Sequence, residues 1–271
     1  MPTPAPATLL PQPLLKLTDV TIQYATDLQI VTAVQNLTFE ALRGDRFILL
    51  GPSGSGKSTL LKAIGGFISP TRGSIALDGR AVARPGPDRI MVFQEFDQLL
   101  PWRTVRGNIA FPLRENGVSR AAATERANGL LARVGLTKFA GHYPHQLSGG
   151  MKQRVAIARA LALEPRVLLM DEPFAALDAM TRRHMQEELL RLWDDLGFTL
   201  LFVTHSIEEA ILLGSRILIL SPHPGRVRGE LNVPPHGGDR TADSRQFLER
   251  RIHGLLFDQA ELPAPEEAAH G

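Results

Sequence analysis

Residues 46–59 read RFILLGPSGSGKST, and this stretch decides the fold. RFILL is a short, continuously apolar run, the kind that forms a strand buried on both faces. The next nine residues, Gly51, Pro52, Ser53, Gly54, Ser55, Gly56, Lys57, Ser58 and Thr59, fit the spacing G-x-x-x-x-G-K-[ST]. Glycines at these points let successive backbone N–H groups converge on phosphate oxygens. A helix opening near Lys57 adds the positive end of its dipole. In that arrangement Lys57 reaches the β- and γ-phosphates of a nucleotide, and the Ser58 hydroxyl faces Mg2+. A bare glycine turn is the alternative, and the strand before the loop and the helix after it weigh against that.

Downstream, RVLLMDEP ends a second buried strand in Asp171 and Glu172. Ligands of parallel sheets bind at the carboxyl ends of strands. Asp171 is therefore placed to hold Mg2+, and Glu172, one residue on, to polarise a water attacking the γ-phosphate. Two solvated acids capping a strand are the alternative, which the phosphate loop upstream makes the weaker reading.

Around these strands the pattern is that of an α/β protein. LLKLTDVTIQY and TAVQNLTFEAL alternate apolar and polar residues, as half-buried strands do. GSIALDGRAV reads as a hairpin turning at Asp78-Gly79, and RIMVF as a further strand. Residues 119–134 turn helical in composition, with Ser119 as the expected N-cap, inside a helical subdomain placed at about residues 98–146. Strands and helices then alternate, which implies a mainly parallel sheet. Phe247, Leu248, Ile252, Leu255 and Leu256 are expected on one packed face of a last helix. Residues 14–257 are read as one unit, flanked by flexible tails at 1–13 and 258–271; the first tail is proline-rich and the second ends ELPAPEEAAHG.

Composition narrows the classes of function. The 271 residues are 44% hydrophobic and 21% charged, ordinary for a globular protein with a sizeable core. A formal net charge of +2 gives no sign of a nucleic-acid partner. Without cysteine there is no disulfide framework and no thiolate chemistry. No apolar run reaches the roughly 18 residues of a membrane span. Any service to a membrane process must then come through docking.

A second anion-binding pattern lies far along the chain, in HQLSGGMKQRVAIARAL at residues 145–161: a serine and two glycines opening a helix. With the phosphate loop, the Asp171–Glu172 strand and LSGGM in this order, the chain resembles the ATP-binding subunits of ABC transporters, over about residues 14–257. The resemblance implies a P-loop NTPase core with a mainly parallel sheet, an antiparallel β lobe and an inserted helical subdomain. It implies that Gln94 is the Q-loop glutamine, a catalytic residue and Mg2+ ligand. Residues 175–178 (AALD) match the D-loop, and His205, in VTHS, the switch histidine that contacts the γ-phosphate. Tyr24 stands where the family stacks an aromatic on adenine; a half-buried strand aromatic is the other reading.

The family works as head-to-tail dimers with two ATP molecules at the interface. Ser148 and the backbone of Gly149 and Gly150 are therefore expected to bind the nucleotide held by a second copy. The resemblance places two membrane permease subunits beside a groove near Phe96, Leu99, Leu100 and Trp102, where core packing is the competing reading. LLPW, DEPFAALDAMTR, LILSPHPGRV and RRIHGLLF look like the nitrate/sulfonate/taurine importer branch, which adds a periplasmic solute-binding protein. That places the chain on the cytoplasmic face of a bacterial membrane, taking up a small solute such as nitrate, a sulfonate, taurine or bicarbonate. A non-transport ABC ATPase of a soluble assembly or repair complex is the alternative. Two positions depart from the common pattern: Ala175 lacks the serine hydroxyl of many D-loops, and Met151 stands where many signatures have glutamine.

Overall fold

A computed structural model of the chain describes residues 12–25, 29–94, 98–234 and 242–257. In chain order the elements are β1 (Leu15–Ala25), β2 (Ile30–Ala41), β3 (Arg46–Leu50), α1 (Lys57–Ile64), β4 (Arg72–Leu77), β5 (Arg80–Ala81) and β6 (Arg89–Val92). There follow α2 (Val105–Glu115), α3 (Arg120–Arg133), α4 (Gly149–Leu161), β7 (Val167–Asp171), α5 (Ala179–Leu196), β8 (Thr199–Thr204), α6 (Ile207–Leu213), β9 (Arg216–Leu220), β10 (Val227–Asn232) and α7 (Ala242–Phe257).

The strands form two sheets. One is antiparallel, in the order β2-β1-β4-β5, and the other has six strands in the order β10-β9-β3-β8-β7-β6. In the second, β9, β3, β8, β7 and β6 run parallel and β10 is an antiparallel edge. Between their polar end residues the central strands are continuously apolar because they feed two cores at once. Phe47 and Leu49 of β3 face the antiparallel sheet, where Phe47 stacks on Phe39 at 5.0 Å between centroids. Ile48 and Leu50 face the helical side with Leu168, Met170, Leu200 and Phe202. Each such fully buried side chain contributes about 1.5–3 kcal/mol. The alternating β1 and β2, by contrast, bury one face only.

The hairpin turn falls where it was expected. Asp78 (φ 52°) and Gly79 (φ 73°) both take the left-handed conformation that a tight two-residue hairpin needs. Ser119 caps α3, its hydroxyl accepting from Ala122 N at 3.3 Å. Two features differ from the sequence reading. β10 was not anticipated: its residues, VRGELN, lack a clean alternation because the strand is a half-exposed edge with a register shift between Val227 and Gly229. On α7, Ile252 is buried and Leu248, Leu255 and Leu256 pack on the core, but Phe247 is exposed. The helix meets the body over a narrower stripe than its apolar residues suggest.

Candidate active site

The parallel strands β3, β7 and β8 end side by side, and the loops leaving them carry the candidate residues. The loop after β3 wraps around its own lysine. Lys57 Nζ donates to Gly51 O and Pro52 O, both at 2.8 Å, and lies 3.4 Å from Ser55 Oγ. Gly56 has φ 78°, and a Cβ there would stand 2.6 Å from Ala33 O, so only glycine fits. At Gly51 a Cβ would stand 2.8 Å from Ser55 Oγ. Burial pushes the Lys57 ammonium below its usual pKa, against the attraction of Glu172 and Asp171. A cation held only by carbonyl and hydroxyl oxygens in a glycine cradle is ready for phosphate.

Ser58 Oγ donates to Asp171 Oδ1 at 2.8 Å. Burial raises the Asp171 carboxyl above the usual range, and the Ser58 hydrogen bond partly offsets it. A hydroxyl beside a carboxyl is a hard-oxygen pair that suits Mg2+, an ion that keeps most of its shell for water and phosphates. Among the described residues no group of three His, Cys, Asp or Glu could hold a metal ion by itself. His142 meets Phe139 edge-on and His145 stacks on Tyr143.

One residue beyond Asp171, Glu172 takes φ 42°, a left-handed backbone unusual for glutamate. Its N–H donates to Val203 O at 3.1 Å. Such a conformation costs on the order of 1–3 kcal/mol and concentrates at functional sites. It aims the side chain at the next strand end, where His205 Nδ1 stands 2.8 Å from Glu172 Oε2. Tyr24, at the end of β1, is half-exposed, its hydroxyl 3.4 Å from Thr59 Oγ1. Gln94 is exposed, two residues past β6.

The 172–178 loop is held by a residue that sequence reasoning missed. Arg182 donates to Phe174 O (3.2 Å), Ala175 O (3.4 Å) and Leu177 O (2.7 Å). Asp178 ends the loop as the N-cap of α5, accepting from Thr181 N at 3.0 Å. The Thr181 backbone N–H, then its side chain, holds the Asp178 carboxyl below its usual pKa. The available signal was Arg182 four residues after an N-cap, within reach of the preceding carbonyls.

At the start of α4, Ser148 is an N-cap whose hydroxyl accepts from Met151 N at 3.4 Å. Gly150 packs so closely on α5 that a Cβ would meet Thr181 Cγ2 at 3.0 Å. The Ser148 hydroxyl keeps its proton to donate, and it faces solvent.

The ABC transporter family model matches residues 34–175. The chain belongs to the ABC transporter family. This ABC ATPase is 50% identical over 242 residues to a taurine import ATP-binding protein of Rhizobium johnstonii, covering 86% of this chain and 92% of the relative. It is 44% identical over 237 residues to a nitrate import ATP-binding protein of Synechocystis sp., covering 88% and 89%. These relatives place it in the taurine/nitrate branch. Among solved structures, a dimeric post-hydrolysis state of the ATP-binding cassette MJ0796 bound to ADP and phosphate superposes with a TM-score of 0.71. That similarity carries 35% identity and covers 82% of this chain and all of the other.

Within this ABC ATPase, Met151 is explained by packing: its side chain lies against the helical core while its N–H completes the Ser148 cap. The expected docking segment divides. Phe96 lies outside the described residues. Leu99 is buried, 4% exposed, in the core cluster that also contains Val105 and Ile109 of α2. Leu100 lines a groove of about 220 Å³ with Ile90, Met91, Phe111 and Arg159. Trp102 is 70% exposed. Phe67 and Phe93, exposed and 6.3 Å apart between centroids, were not singled out by sequence reasoning.

Proposed function

We propose that this ABC ATPase is the ATP-hydrolysing subunit of a bacterial importer for a small solute, with residues 14–257 as its working unit and 98–146 as the helical subdomain. The observation that carries the reading is the 2.8 Å pairing of His205 Nδ1 with Glu172 Oε2, one residue beyond the Ser58–Asp171 pair. Glu172 accepts the proton of the attacking water, and His205 orients Glu172 and the γ-phosphate. The loop from Gly51 to Thr59 binds the phosphates, with Lys57 exchanging its carbonyl partners for phosphate oxygens. Ser58, Asp171 and Gln94 hold Mg2+, which when bound neutralises charge on the β- and γ-phosphates. Tyr24 takes the adenine.

Ser148 and the backbone N–H groups of Gly149 and Gly150 complete the nucleotide site of a second copy. ATP then closes the dimer, and loss of the γ-phosphate opens it, since that phosphate is the differential contact between the two states. The ATPase sits on the cytoplasmic face of the membrane, where Leu100, Trp102 and the Phe67–Phe93 pair receive two permease subunits. Among the described residues no helix is long and apolar enough to cross a membrane. The taurine and nitrate relatives support a small anion or sulfonate as cargo, delivered by a solute-binding protein.

Purification of the tagged protein from its membranes tests the importer reading. Recovery of a multi-span membrane protein whose retention drops on Trp102→Ala supports it. Phosphate release by a protein that associates with no membrane subunit overturns it.

A further inference from the structure

Directly behind His205 lies a buried hydrogen-bonded cluster that the reaction above does not use. Glu209, near the start of α6, is only 8% exposed. Its carboxyl oxygens serve two different elements. Oε1 accepts from Gln186 Nε2 at 2.9 Å, in the interior of α5, and Oε2 accepts from the hydroxyl of Thr204, the last residue of β8. Thr204 Oγ1 in turn accepts from Ser206 N at 3.0 Å, and Ser206 Oγ accepts from Glu209 N at 3.3 Å. The Glu209 side chain thus fixes Thr204 and ties it to α5, while the Thr204 hydroxyl and the Glu209 backbone N–H hold Ser206, the other chain neighbour of His205.

Glutamate is rarely this buried unless paired. Replacing both partners of a buried hydrogen bond by apolar groups of the same shape is often neutral or stabilising, so stability alone does not account for the cluster. A fully satisfied polar cluster does define one arrangement of its elements. That arrangement matters here because α5 begins at the Asp178 cap and touches Gly150 of α4 through Thr181.

We propose that Glu209 is a positioning residue for His205. By locking the β8–α6 turn to α5, it keeps His205 in register with Glu172 for hydrolysis. The inference rests on the reading of the protein as an ATPase in which that pair acts.

The test compares the full-length wild type with Glu209→Gln, Gln186→Met and the double variant Glu209→Met/Gln186→Met. The readouts are kcat and KM for MgATP, affinity for a fluorescent ATP analogue, and the thermal midpoint. In Glu209→Gln and the double variant, kcat falls about tenfold or more, as small misplacements of a reacting group do, while nucleotide affinity stays within about twofold. The double variant removes the Glu209–Gln186 bond at both ends and leaves only the Thr204 hydroxyl proton without its acceptor, so its thermal midpoint tracks stability apart from positioning; its kcat stays low. Should Glu209→Gln not fold, Gln186→Met carries the test, with kcat several-fold down at unchanged affinity. Three results overturn the proposal: kcat unchanged in all variants, kcat recovering with stability in the double variant, or a rise in KM at constant kcat. A wild type that releases no phosphate from ATP overturns the ATPase reading itself, and the inference with it.

Discussion

His205 Nδ1 and Glu172 Oε2 lie 2.8 Å apart, although 33 positions separate the residues in the chain. The pair exists because β7 and β8 are adjacent and parallel, with Asp171 opposite Val203 in register. Each acidic or imidazole group therefore leaves the sheet at the same carboxyl end of the strands.

From that geometry, Glu172→Gln keeps the shape of the side chain and removes its ability to accept a proton. Turnover is expected to fall by about 10²–10⁴-fold, with nucleotide affinity within about threefold of wild type. His205→Ala should lower turnover through the loss of orientation, again without a large change in affinity. Phosphate-release assays and equilibrium titration with a fluorescent nucleotide separate the two quantities.

Asp171 gives a pH signature. Its folded pKa lies above its ordinary value because burial disfavours the carboxylate. The unfavourable contribution to stability is absent below the unfolded pKa and fully present above the folded one. Asp171→Asn is therefore expected to raise the thermal midpoint of the nucleotide-free protein at neutral pH, with the gain vanishing as pH falls through the raised pKa. The same variant should bind nucleotide with a weaker dependence on Mg2+, since Ser58, Gln94 and the phosphates still ligate the ion. In the wild type, protons compete with Mg2+, so the Mg2+ dependence should fade at a less acidic pH than for an ordinary aspartate. Titrations with Mg2+ or EDTA across pH check both.

Gly225 closes the phosphate loop from behind. Its N–H donates to Ala33 O at 3.0 Å, and its carbonyl accepts from Gln35 N at 2.9 Å. A Cβ on it would stand 2.1 Å from Ser55 O. Gly225→Ala must displace either Ser55 or the turn after β9. Overpacking of this kind costs about 1–3 kcal/mol, and nucleotide affinity should drop about tenfold, equivalent to 1.4 kcal/mol. Calorimetric titration of nucleotide and a thermal melt measure the two effects.

Much of this architecture could be read locally. The continuous apolar runs of β3 and β7 and the glycine spacing of 51–56 are each fixed by a few neighbouring residues, so strand, loop and Asp171–Glu172 were legible. The misses are long-range. The resemblance places Leu99 in a docking groove with core packing as the competing reading, and it packs in the core. Phe247 stands five residues before Ile252, about 140° around the helix, and so lies outside the packed stripe. Arg182 and Glu209 are ordinary charges on amphipathic helices until the 172–178 loop and α5 supply their partners. Nothing in the immediate neighbourhood of Glu209 announces Gln186, 23 positions away.

The most direct measurement is sedimentation velocity on Glu172→Gln with and without Ser148→Arg. Glu172→Gln should sediment as a dimer in MgATP and as a monomer in MgADP. With Ser148→Arg added, it should stay monomeric in both while its monomer binds nucleotide with unchanged affinity. A dimer that survives Ser148→Arg, or a monomer whose own nucleotide binding is lost to the same degree, would contradict a site completed by a second copy of the chain.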